Sequence, residues 1–316
     1  GRTVYLRGAS TWSNGTLQFR DGGVLVNEGT FTDDAAGSHS IARAGTITTE
    51  PYVLNRGTWA VESVGTNANV AFYNEGTLVV AGAGFKLIAP ARFETKDTGT
   101  LIGTRTLDLA SGPTVAFGGR TQPGGAGTAA TFQVDGPVPM SATHVLDLDL
   151  RGGTDASDRL LVDRGTVTVQ GRLRLRISDL TPPEAGAAFP LLTQTGSGDV
   201  VGCYGAGDID VTGPDGVTPA PYRVEVTCTA DGITATVFAL STAGEGDPAA
   251  ARDRLAVTGA NPFAQRTTLA LTAGASGPAT VEVVDALGRR VAVLFEGAVA
   301  AGQPVPVVFE AGALPA

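Results

Sequence analysis

At 316 residues and a net charge of −9, the chain has room for two or three domains with an ample core. Its acidity argues against a nucleic-acid partner, because such binding is driven by Lys and Arg neutralising phosphates. No uninterrupted stretch of about 18 apolar residues is present that could span a bilayer as a helix, so the chain reads as not membrane-spanning. Charged residues are only 17% and aromatics 6%, with 44 glycines, abundant threonine and almost no helical periodicity. That mix points to an all-β chain of short strands and tight turns.

Residues 1–117 are repetitive. A unit of two apolar or aromatic residues, then Asn-x-Gly-Thr, then another apolar residue occurs three times. The copies are Leu25-Val26-Asn27-Glu28-Gly29-Thr30-Phe31, Val53-Leu54-Asn55-Arg56-Gly57-Thr58-Trp59 and Phe72-Tyr73-Asn74-Glu75-Gly76-Thr77-Leu78. Degenerate copies stand at Asn14-Gly15-Thr16-Leu17 and Asp97-Thr98-Gly99-Thr100-Leu101. After each Gly-Thr the apolar residues alternate, as in Trp59/Val61 and Leu78/Val80, which turns one strand face inward. Asn27, Gly29, Asn55, Gly57, Asn74 and Gly76 read as the repeat corners, since Asn and Gly tolerate left-handed backbone. The asparagines are also placed to stack as an internal amide ladder. Trp12, Phe31, Trp59, Phe72 and Tyr73 read as the filling of a thin core, and Glu28, Arg56 and Glu75 as solvated positions. Stacked strand–corner–strand units predict a β-solenoid. The segment resembles filamentous adhesin-like surface proteins whose coils read N-x-G-T.

Residues 118–240 extend the strand pattern, as a continuation or cap. Arg172, Arg174 and Arg176 alternate with Leu173, Leu175 and Ile177, while Asp147 and Asp149 alternate with leucines on an earlier strand. Cross-strand ion pairing, worth roughly 0.2–1 kcal/mol per pair, explains these charges better than a basic stripe for lipopolysaccharide phosphates or acidic glycans. The run from Asp158-Arg159-Leu160-Leu161-Val162 to the alternating leucines resembles the end region of autotransporter-like passengers. Cys-bearing hairpins are expected at 200–207 and 222–238, and residues 241–255 read as a linker.

From 256 to 316 five elements follow in order: Asn261-Pro262-Phe263, the strand-like run 267–272, Val281-Glu282-Val283-Val284-Asp285-Ala286-Leu287-Gly288-Arg289-Arg290-Val291, Ala301-Gly302, and Leu314-Pro315-Ala316. Together they resemble the C-terminal sorting domain of type IX secretion cargo, a small β-sandwich. The resemblance implies export through that machinery to the outer cell surface or the medium. It also implies an oxidising compartment and hence a Cys203–Cys228 disulfide. In that family the pattern runs on past Leu-Pro-Ala with a further strand. The sequence therefore reads as a partial or processed form, whose sandwich edge a neighbouring copy could fill to make a filament.

Candidate chemistry is sparse. Asp147, Asp149, Asp155 and Asp158, and Asp208, Asp210 and Asp215, lack the dense spacing of a calcium loop and read as turn caps and strand pairs. His39 and His144 are the only histidines, and neither lies in a nucleophile-turn context. No catalytic, cofactor-binding or metal residues are assigned. The expectation is a secreted, non-enzymatic structural or adhesive surface protein, with surface glycans or other copies of itself as partners. A carbohydrate-binding or carbohydrate-cleaving solenoid exported by the same route is the alternative.

Overall fold

The structure, a computed structural model, describes residues 1–316 except 35, 38, 64, 153–156, 179, 181–185, 240–252, 258–265, 285–288 and 311–316. It divides into two units, Gly1–Leu240 and Ser241–Ala316. The first is a β-solenoid. Strands Thr3–Leu6, Ala9–Trp12 and Thr16–Phe19 form the first coil, and further coils of the same kind stack upon it. Successive coils pair in parallel, so three long sheets run along the stack.

Parallel pairing in register lines up equivalent side chains into rows. On the first sheet Leu25, Val53, Phe72 and Phe93 stack inward, and on the second Phe31, Trp59, Leu78 and Leu101 do so. Phe72, Trp59, Leu78 and Phe93 are fully enclosed. Rings meet between the rows: Phe31–Trp59 centroids are 4.1 Å apart and Trp59–Phe72 5.4 Å. Full burial of each such side chain is worth roughly 1.5–3 kcal/mol, which is how short strands of low intrinsic stability hold together. On the second sheet the repeat threonines Thr30, Thr58, Thr77 and Thr100 form an in-register column facing outward.

At the corners the sequence reading is half right. Asn27, Asn55 and Asn74 do stack inside, but neither they nor Gly29, Gly57 and Gly76 adopt positive φ. The glycines are needed for close approach. A Cβ on Gly29 would stand 2.0 Å from the Gly8 carbonyl oxygen, and one on Gly57 2.0 Å from that of Gly29. Stacked corners leave no room for a side chain there. The degenerate copy at 97–101 occupies an equivalent corner, with Thr100 and Leu101 in register with Thr77 and Leu78. The copy at 14–17 does not. Thr16 opens the third strand of its coil and pairs with Ser40, and the true first-coil equivalent is Arg7-Gly8-Ala9.

Coils continue beyond residue 118 through Arg172–Ser178. The stack then closes with an antiparallel hairpin, Tyr222–Thr229 and Gly232–Ala239, which pairs with Ala187–Gln194. Only that second Cys segment is a hairpin. Around Cys203 the chain forms the short parallel strand Val200–Val201 and then a 3-10 turn, Ala206–Asp208. The Cys203–Cys228 disulfide is present and ties that segment to the closing hairpin.

In the second unit Arg254–Val257, Arg266–Thr272 and Pro304–Glu310 form one antiparallel sheet, and Gly277–Val284 with Arg290–Val299 another. The two share a small core of Leu271, Ala273, Val281, Val299 and Val307. Arg254 and Leu255, read from sequence as the end of a linker, begin its first strand.

Candidate functional site

The corner asparagines form a continuous chain. Asn27 Nδ2 donates to Asn55 Oδ1 (2.8 Å), and Asn55 Nδ2 donates to Asn74 Oδ1 (2.7 Å). The same three amides also donate to the carbonyls of Thr58, Thr77 and Thr100. All three side chains are fully buried, so each bond is made where water cannot substitute. The ladder's next position is Thr95, buried with no partner for its hydroxyl among the described residues. This is a structural device with no free chemistry.

The charged strands are more deeply enclosed than their sequence suggests. Asp147 pairs in register with Arg174, and Asp149 with Arg176. Arg176 Nε donates to Asp149 Oδ1 at 2.5 Å, and its Nη2 lies 3.4 Å from Asp147. Arg120 Nε approaches Asp147 at 3.5 Å. Gln122, with its amide oxygen turned toward Arg176, accepts from Nη2 at 2.5 Å and from Ala126 N at 2.8 Å. Burial raises the Asp147 carboxyl above the usual range despite these guanidinium groups. Asp158 accepts from Ala130 N (2.8 Å) and Asp149 N (2.9 Å), and burial pushes it up to about 7. Of the expected arginine stripe, Arg172 is exposed, Arg174 half-buried and paired with Asp210 at 3.5 Å, and Arg176 buried. The cluster fastens the segment around 124–130 and residue Asp158 onto the sheet.

Asp208 and Asp215 cap turns, at Gly205 N and at the Val217 and Thr218 amides. Asp155 lies outside the described residues. Among the described residues no group of three or more His, Cys, Asp or Glu is arranged to hold a metal ion.

Each histidine is committed to packing. His144 is fully buried, with Nε2 3.0 Å from Thr121 Oγ1, and burial lowers its pKa to about 3. His39 lies 3.0 Å from Asp33 Oδ1 through Nδ1, under the Trp12 ring at 4.3 Å. Ser63 and Thr66 donate to the other Asp33 oxygen, so the nearby hydroxyls address the carboxylate.

What sequence reading missed is an outward aromatic face on the first sheet. Tyr73 does not fill the core. It alternates with the inward Phe72 and is only partly covered. Tyr5 and Tyr52 share that face, Tyr5 at 52% exposure. Tyr52 and Tyr73 meet edge to face at 5.5 Å. Tyr5 is in one register row with Val26, Leu54 and Tyr73, which places it about 14 Å from Tyr73 along the stack. Guanidinium and ammonium groups cover the ends, Arg7 5.2 Å over Tyr5 and Lys96 5.2 Å over Tyr73. A strict period-2 count through Tyr52-Val53-Leu54 and Phe72-Tyr73-Asn74 carries the signal, because Tyr73 cannot point the same way as Phe72.

Behind Tyr73 the surface dips into a depression of about 550 Å³ lined by Glu75, Glu94, Lys96, Asp97, Thr98 and Ser141 among others. Glu75 accepts from Arg56 (2.9 Å), Glu94 from Lys96 (2.6 Å), and Asp97 from Thr143 Oγ1 (2.6 Å). The sequence expectation that Glu28, Arg56 and Glu75 are solvated holds, with the addition that they pair across coils.

Of the sorting-motif residues, Asn261, Pro262, Phe263, Asp285 and Gly288 lie outside the described residues. Arg289 immediately precedes the strand Arg290–Val299. No known protein family matches the chain, and no characterised protein matches it in sequence.

Proposed function

We propose that this chain is a secreted, non-enzymatic adhesive protein of the outer cell surface, exported through the type IX route by its C-terminal unit. The observation that carries the adhesive reading is the outward Tyr5–Tyr52–Tyr73 face. Its strands hold no charge in the second, third and fourth coils, on a protein that is otherwise acidic. Exposed aromatic patches rimmed by polar groups mark interaction sites. The interior supports a scaffold role: the amide ladder, the Asp33 cluster and the Asp149–Arg176 pair each join neighbouring coils. The sorting role rests on the ordered motifs of residues 256–316 alone.

The test has two parts. Antibody against the chain should label intact producing cells, and lose the label when the export machinery is inactivated. Purified full chain in solution should compete with those cells for attachment. Label confined to the cell interior, or attachment indifferent to saturating chain, refutes the respective part.

A further inference from the structure

We infer that the tyrosine face and the depression behind Tyr73 form one binding platform for an uncharged polysaccharide; this deepens the adhesive reading and rests on it. Three observations lead there.

The first is shape and surface. Tyr52 and Tyr73 share their outward sheet face with Val26 and Ala71, both of which are buried. Tyr5 extends the same face farther along the stack. A flat parallel sheet with rings spaced along it suits an extended polymer lying across several coils. Tyrosine offers an apolar ring face to the C–H side of a sugar and a hydroxyl to its polar edge.

The second is the group chemistry of the depression. It continues directly from Tyr73, since Lys96 both covers that ring and lines the depression. Carboxylates of Glu75, Glu94 and Asp97 accept from sugar hydroxyls, and the Lys96 ammonium donates to them.

The third is charge, which selects among glycans. Around the face the cations are already matched: Arg7 with Glu28, Arg56 with Glu75, and both Arg92 and Lys96 with Glu94. An acidic polysaccharide would have to break these pairs while approaching a chain of net charge −9. An uncharged one needs neither.

The test is affinity electrophoresis of the full chain in gels containing hydroxyethylcellulose, mannan, dextran, alginate or polygalacturonate. At least one of the three uncharged polymers should retard the chain, and neither acidic polymer should. Y52A/Y73A should weaken that binding about tenfold, the loss of roughly 1.4 kcal/mol of stacking, while the chain still unfolds cooperatively at a melting temperature only a few degrees lower for the lost ring pair. Y52F/Y73F should retain it, because the ring faces remain. No retardation by any uncharged polymer, preference for alginate, or full binding by Y52A/Y73A overturns the inference. So does concentration-dependent self-association that Y52A/Y73A abolishes, which would give the face to a second copy. If Y52A/Y73A cells still attach like wild type, the platform is wrong and the adhesive reading stands. If wild-type chain supports no attachment at all, the adhesive reading itself fails.

Discussion

Replacing Asn55 by Ala removes the middle rung of the amide ladder. Three hydrogen bonds go: the one Asn55 accepts from Asn27 and the two it donates to Asn74 and Thr77. At about 1 kcal/mol net each they account for about 3 kcal/mol. The Asn74 oxygen is left buried without its donor, which adds about 1 kcal/mol more. The expected cost is therefore about 4 kcal/mol, a large share of a typical domain's stability of roughly 5–15 kcal/mol. Denaturant unfolding followed by tryptophan fluorescence measures it cleanly, because the only tryptophans, Trp12 and Trp59, both lie in the solenoid. Arg56→Ala at the next position breaks only a surface pair and should cost under about 1 kcal/mol. If Asn55→Ala costs no more than Arg56→Ala, the ladder does not hold the coils together and the reasoning is wrong.

Other outcomes follow from the same geometry. Gly57→Ala should lower solenoid stability by about 3 kcal/mol or prevent folding, since its Cβ meets the Gly29 carbonyl; a normal melting curve would contradict this. Arg176→Met should cost about 3–5 kcal/mol by stranding the buried Asp147 and Asp149 carboxylates, most of which a matching Asp149→Leu should recover in a double-mutant cycle. His144, with its pKa lowered to about 3, stays neutral in the fold while the unfolded chain takes up a proton near pH 6.5. Its contribution is thus present above pH 6.5 and is lost as pH falls toward 3, by an amount on the order of 5 kcal/mol; His144→Leu should flatten that part of the acid limb in urea unfolding. Cys203→Ser with Cys228→Ser should cost about 3 kcal/mol for a crosslink spanning 25 residues, seen as faster hydrogen exchange in the closing hairpin.

Much of the solenoid could be read from residues 25–31, 53–59 and 72–78, because an in-register stack repeats its inward rows and its corner chemistry in sequence. The reason for the glycines could not. Close approach between coils is a long-range contact, and Gly29 and Gly57 look the same in sequence whether they turn the chain or make room for its neighbour. Asn14-Gly15-Thr16 misled for a similar cause: a solenoid coil has three corners, and a local motif does not say which one it occupies. The ion pairs of Asp147 and Asp149 were legible from alternation, but their burial was not, since the covering segment around 124–130 comes from elsewhere in the chain. Tyr73 was misassigned because grouping aromatics by repeat position overrode the parity of the strand, which sends Phe72 and Tyr73 to opposite faces.

The most direct test of the account is attachment under flow, comparing producing cells with the same cells lacking this chain and with cells carrying the Tyr52→Ala, Tyr73→Ala form. The account predicts that loss of the chain lowers attachment, that wild type restores it, and that the alanine form does not. Equal attachment with and without the chain would contradict it.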